Sequence, residues 1–164
     1  MGIEAVLFDP ARRITTAKGE RHRANNPEEY APPLSFLKTL RSLFPSVCVK
    51  LSPATHEAIL KEYANEAEIE LISTEGECRE ALLWFGMVRE SKAMPLFRAG
   101  EYSYRATILS ASGEVWSLPP EHYDPPHYGE PQAWLYEPDP AIIRAHLVEQ
   151  LTSQYGASLI TPNI

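Results

Sequence analysis

The chain is poor in cysteine and glycine, has more acid than base, and contains no long apolar run. Its two cysteines, Cys48 and Cys78, cannot form a disulfide framework, and their separation is not that of a Cys-x-x-Cys metal site. Two buried thiols in a reducing cytoplasm are the expectation. No apolar stretch approaches the roughly 18 to 20 residues that a membrane span requires. No basic-then-apolar leader opens the sequence, so no secretory address is expected. Fifteen Lys and Arg stand against 22 Asp and Glu, for a net charge of −7. That balance argues against a protein that binds phosphate over its whole surface.

An apolar share of 44% and three tryptophans over 164 residues suit one folded core, or one core with a small appendage. The alternation of elements sets the fold class. IEAVLF at residues 3–8 reads as a buried strand. A polar stretch follows, ending in EEYAPP. Leu34, Leu37, Leu40, Leu43 and Phe44 then recur at helical spacing, with Pro33 suited to the first turn. SVCVKLS at 46–52 is a second buried strand, and Ser52-Pro53 opens a helix through about Tyr63. Strand, helix, strand, helix favours parallel strands with helical crossovers. EIELIST at 68–74 and REALLWFG at 79–86 are joined by Glu75-Gly76-Glu77-Cys78, too short for a crossover. They predict an antiparallel hairpin at the sheet's edge.

Past Gly86 the texture changes. YSYRATILS at 102–110 turns through Ser112-Gly113 into EVWSL at 114–118. Seven of the fifteen prolines fall between 119 and 140, which predicts an irregular connection. A last helix starts at Asp139-Pro140, carries Ile143, Leu147, Leu151 and Tyr155 at i, i+4 spacing, and stops at Gly156. SLITP reads as a closing strand.

Five cations lie between 12 and 23: Arg12, Arg13, Lys18, Arg21 and Arg23, opposed only by Glu20. They read either as a solvated loop or as a loop that meets an anionic substrate such as RNA. Asp9-Pro10-Ala11, like Ser52-Pro53-Ala54 and Asp139-Pro140-Ala141, has the form of a helix cap followed by proline. Two facts weigh against a plain cap at Asp9. Arg12 and Arg13 would sit in the first helical turn, where the macrodipole disfavours cations. Asp9 also falls at the carboxyl end of a strand read as parallel, the rim where open α/β sheets bind ligands. Lys50 either snorkels from its strand or faces that same rim. Ser52 reads as a cap rather than a nucleophile. Trp84, Phe85 and Trp116 read as core aromatics, and Arg144 as part of a solvated helix face. His122 and His127 have no metal-site spacing, so no metal is expected.

FDPARR after a strand, EEYAPPLSFL, VKLSPATHEAIL and LYEPDPAIIRAHLV at 135–148 together resemble the C-terminal half of a class I S-adenosylmethionine-dependent methyltransferase. The similar proteins form a bacterial methyltransferase-like family with a THUMP-like C-terminal domain. The resemblance implies an α/β fold holding the later half of a Rossmann-like sheet, with its fourth and fifth strands parallel and its sixth and seventh an antiparallel hairpin. A small α+β, ferredoxin- or THUMP-like region would follow. The implied boundaries are 1–89 and 90–164, with the proline-rich connection at 119–140. Asp9, Pro10 and Arg12 would then occupy the catalytic motif, with Arg13, Lys18, Arg21, Arg23 and Lys50 binding substrate, an RNA. The sequence departs from the amino-methyltransferase pattern: Ala11 stands for its second proline and Arg12 for its aromatic. RNA 5-methyluridine enzymes share Asp-Pro-x-Arg but use a later cysteine, whose place falls on Leu51. No Gly-x-Gly precedes Asp9, so S-adenosylmethionine would belong to the complete enzyme. The missing half, or a second copy, would cover the open sheet edge. The other reading is a non-catalytic module that pairs with RNA or protein through that edge.

Overall fold

The computed structural model describes residues 3–15, 21–86 and 104–161. The fold is mixed α/β and divides into two compact units. One draws on Met1–Glu70 and Arg79–Ser103, the other on Leu71–Cys78 and Tyr104–Ile164.

In the first unit, β1 (Ala5–Phe8) runs parallel to β4 (Ser46–Leu51), pairing Phe8 with Val49. β6 (Glu77–Phe85) lies antiparallel on the other side of β4 and pairs Leu82 with Lys50. Flanked on both sides, β4 buries Val47, Val49 and Leu51 almost completely. Its apolar sequence therefore has the physical cause expected of an interior strand. β1 does not. The run at 3–8 reads as buried, but among the described residues β1 ends the strand order: Phe8 is buried, while Leu7 is 65% and Ile3, just before the strand, 69% exposed. An apolar run reports the preference to be buried, and only the strand order tells whether a neighbour exists to do it.

The polar stretch after β1 contains an element that its composition hides: β2 (Arg13–Thr15) pairs antiparallel with β3 (Arg21–Arg23). Leu34–Phe36 forms a single 3-10 turn leading into α1 (Leu37–Leu43), so the helix begins later than its leucine spacing suggests, with Pro33 outside it as the cap of that turn. Leu34, Leu37 and Leu40 are buried, while Leu43 faces solvent. Ser52 does not open a helix. Its hydroxyl accepts from the Ala54 amide at 3.3 Å, closing a turn. α2 (Glu57–Tyr63) is capped by His56, whose Nδ1 accepts from the Ala58 amide. Arg41 lies over the Phe85 ring at 4.5 Å and pairs with Glu66.

The hydrogen-bonded strand order is β1-β4-β6-β5-β7-β8, with β5 as Glu68–Thr74, β7 as Tyr104–Leu109 and β8 as Val115–Leu118. The β5–β6 hairpin was expected at the sheet's edge, but β7 and β8 continue beyond β5. Its turn is only Glu75-Gly76, both at positive φ (52° and 74°), the backbone that a two-residue hairpin matched to strand twist requires.

In the second unit β7 and β8 form an antiparallel hairpin, and α3 (Pro140–Arg144) packs against β7. The proline-rich stretch is mostly irregular, but β9 (His127–Tyr128) pairs parallel with β10 (Ser158–Leu159). The buried Gln150 side chain donates to the Pro119 carbonyl at 2.8 Å and accepts from the Glu121 amide at 3.0 Å. The last helix is not continuous. α3 ends before His146, which adopts φ 58°, and α4 (Val148–Gln154) begins beyond it. Its i, i+4 apolar row holds only in its middle: Leu147 is buried and Leu151 half-buried, but Ile143 and Tyr155 are exposed, and Ala141, Ile142, Ala145, Gln150 and Thr152 are buried off the row. Among the described residues no helix is long and apolar enough to cross a membrane.

Candidate functional site

The carboxyl ends of β1 and β4 lie side by side, so the residue after Phe8 comes next to the residue after Val49. Those two are Asp9 and Lys50. The Asp9 carboxylate is 53% exposed and stands 3.6 Å from the Lys50 ammonium, which is itself 2.8 Å from Oε1 of Glu80 on β6. Lys50 therefore faces the rim rather than snorkelling away from it. The Glu80 hydrogen bond, opposed by partial burial and aided by both carboxylates, raises the Lys50 pKa above its ordinary value.

Asp9 caps no helix. Ala11 exchanges two backbone hydrogen bonds with Ala31, at 2.9 and 3.1 Å, and the Arg12 carbonyl accepts from the Ala24 amide at 2.8 Å. These bonds hold residues 10–12 in an extended path, leaving the Asp9 side chain unengaged by any following turn. Asp139, in the same tripeptide pattern, does cap α3, through a 2.8 Å bond from the Ala141 amide.

Asp9, Pro10, Ala11, Arg12, Arg13, Arg23 and Lys50 line one cleft of about 470 Å³. Six of the eight positions that the sequence singles out for the site thus surround a single space. Of the other two, Lys18 lies outside the described residues, and Arg21 takes its place on β3 opposite Thr15. Arg13 and Arg23 are exposed and stand directly opposite each other across the β2–β3 pair. Arg12 is half-buried, and its Nη1 has no hydrogen-bond partner among the described residues. Glu80 is the residue that sequence reading missed. Its signal is the strand pairing, since it falls two positions from the partner of Lys50 on β6.

Cys48 supplies no nucleophile. Burial, followed by the nearby Glu70 and Glu80 carboxylates, pushes its thiol up to about 12. Leu51, at the position of the catalytic cysteine in the 5-methyluridine enzymes, is a fully buried aliphatic side chain. Trp84 is only partly buried and donates to Glu70 at 2.8 Å, Phe85 is buried, and Trp116 is 37% exposed.

No family model matches the chain. It is 30% identical over 159 residues, 97% of its length, to proteins described as uncharacterized S-adenosylmethionine-dependent methyltransferases in two strains of Mycobacterium tuberculosis. The chain spans 39% of the length of those relatives. Its fold is similar to a crystal structure described as a "putative methyltransferase" from Porphyromonas gingivalis W83, with a TM-score of 0.56 and 17% identity, covering 92% of this chain and 36% of that one.

Proposed function

We propose that this chain is the acceptor-binding, C-terminal part of an S-adenosylmethionine-dependent methyltransferase that acts on RNA. One observation carries the reading: a half-exposed carboxylate at the carboxyl rim of two parallel strands, held by Lys50 and opening into a cleft lined by arginines. That rim is where α/β sheets place ligands. Asp9 accepts a hydrogen bond from the acceptor group and fixes its orientation. Pro10 stiffens the turn that aims it, and Arg12, Arg13 and Arg23 hold the anionic part of the substrate. Sequence likeness to relatives named as methyltransferases supports the same class. Residues 1–89 form the methyltransferase-like part in this reading, and residues 90–164 the THUMP-like docking region.

The cleft does not suit the cofactor itself. S-adenosylmethionine has a net positive charge, its sulfonium and ammonium outweighing one carboxylate, whereas the cleft presents Arg12, Arg13 and Arg23 in addition to a Lys50 already paired with Asp9 and Glu80. In this reading the cofactor is held by polypeptide outside this chain, docked along the open edge of β1, where Leu7 and Ile3 are exposed. The same open edge also favours a second reading, a non-catalytic module that pairs with a partner or with itself.

The two readings separate experimentally. Calorimetric titration of S-adenosylmethionine into the chain alone is expected to show no binding. Supplying the part of a mycobacterial relative that the chain does not cover should restore cofactor binding and methyl transfer to RNA. Asp9→Asn should then lower transfer about 100-fold with cofactor affinity unchanged, because an amide cannot accept as a charged group does. Tight cofactor binding by the chain alone, or full activity of Asp9→Asn, refutes the proposal.

A further inference from the structure

Arg13 and Arg23 are a cross-strand pair of like charge, and directly opposed like charges weaken a strand pairing. Neither has an ion-pair partner among the described residues. Directly opposed residues project to the same face of their ribbon, and both of these line the cleft. Beside them, Arg12 has a guanidinium nitrogen that is buried without an acceptor, a state that costs the desolvation of that donor. Lys50 is different, since Glu80 and Asp9 already compensate it. Three guanidinium groups with no acidic partner among the described residues therefore share one small space, in a chain whose net charge is −7.

We infer that this space is a phosphate site, and that its ligand is the phosphate of a nucleotide. An oxyanion between Arg13 and Arg23 converts a repulsion into two attractions, with the Arg12 guanidinium adding a third positive charge to the lining. A tetrahedral phosphate offers oxygens in several directions, enough for more than one planar guanidinium fork. A carboxylate offers two oxygens in one plane and satisfies one fork well. The volume of about 470 Å³ lies within the range of small-ligand sites. It leaves room beside the phosphate for a sugar or base near Asp9, whose carboxylate accepts from a hydroxyl or an amine. The assignment rests on reading the cleft as the acceptor side of the methyl transfer, but its test needs no turnover.

Inorganic phosphate, adenosine 5′-monophosphate, an eight-nucleotide single-stranded RNA and an eight-residue polyglutamate are titrated into the full chain by calorimetry at several salt concentrations. The phosphate probes should bind, and polyglutamate should bind at least tenfold more weakly. Arg12→Gln, Arg13→Gln and Arg23→Gln should each weaken binding about tenfold, as loss of a charge-assisted hydrogen bond does. Each should also reduce the salt slope for the RNA by about 0.7. Lys38→Gln, on the exposed side of α1, should change neither. Arg13→Glu should raise the melting temperature of the ligand-free chain, because it replaces the opposed pair with an attractive one, and should abolish binding. Preference for the mononucleotide identifies a free nucleotide as the source, preference for the octamer a polynucleotide, and either supports the site. Absence of binding by every phosphate probe, equal binding of polyglutamate, or unchanged affinity in Arg13→Gln and Arg23→Gln overturns it. Normal phosphate binding with no methyl transfer in the reconstituted protein would instead defeat the methyltransferase reading and leave the site standing.

Discussion

Gly86, immediately after β6, has φ 74°, and a Cβ built there would lie 2.1 Å from the Pro45 carbonyl oxygen. Gly86→Ala therefore meets two separate costs. The left-handed backbone costs a non-glycine residue about 1 kcal/mol. The overlap is with backbone, not with a side chain that could rotate away, so either Gly86 or the chain entering β4 must move by roughly 1 Å. Forced overpacking of that kind costs about 1–3 kcal/mol. The sum is about 2–4 kcal/mol, a large fraction of the 5–15 kcal/mol typical of whole domains. Gly76 provides the control, because it has the same φ of 74° but nothing within 4 Å of its built Cβ. Gly76→Ala should therefore cost only the backbone term, about 1 kcal/mol. Urea unfolding followed by tryptophan fluorescence measures both, with the midpoint falling further for Gly86→Ala at an unchanged slope. Equal losses in the two variants would refute the steric argument. A Gly86→Ala loss below about 0.5 kcal/mol would refute both terms.

Cys48 is buried and its thiol is pushed up to about 12, so Cys78, half-buried, should react first with a thiol reagent at pH 8 and Cys48 only on unfolding. Mass spectrometry of the labelled native chain checks the order. Because the folded state keeps the Cys48 proton where the unfolded state, near 9.0, releases it, this group's contribution to stability is whole below pH 9 and declines from there toward pH 12. Cys48→Ala should flatten that part of a stability-against-pH curve. Asp139→Ala removes the cap of α3 and should cost about 1 kcal/mol in the same urea assay, whereas Asp139→Asn should recover most of it.

The sequence makes the neighbourhood of Asp9 readable because local rules act there without competition. An apolar run ends, a proline stops it, and arginines follow where a helix would reject them, which weighs against a plain helix cap at Asp9. Other features depend on contacts that no local pattern encodes. The exposure of β1 is set by its place at the end of the strand order. The β2–β3 pair has Ile14 as its only apolar residue, so no alternation of apolar side chains announces it. The last helix shows the opposite failure at its ends: Ile143 and Tyr155 mimic a buried stripe, while Ala141, Ala145 and Gln150 join Ile142 and Leu147 on the inner face. Small residues and a satisfied amide carry little hydrophobic signal. Glu80 escaped notice for a related reason, since only the β4–β6 register brings it to Lys50.

Because Phe8 sits level with Val49 in parallel register, the chemistry of the cleft is also a matter of counting. Adding one residue between Phe8 and Asp9 would leave every apolar contact of β1 in place. The acid, however, would have to reach Lys50 from one step further along the chain, with the alternation of sides reversed. A change in spacing there is equivalent to deleting the carboxylate, although no amino acid has been replaced.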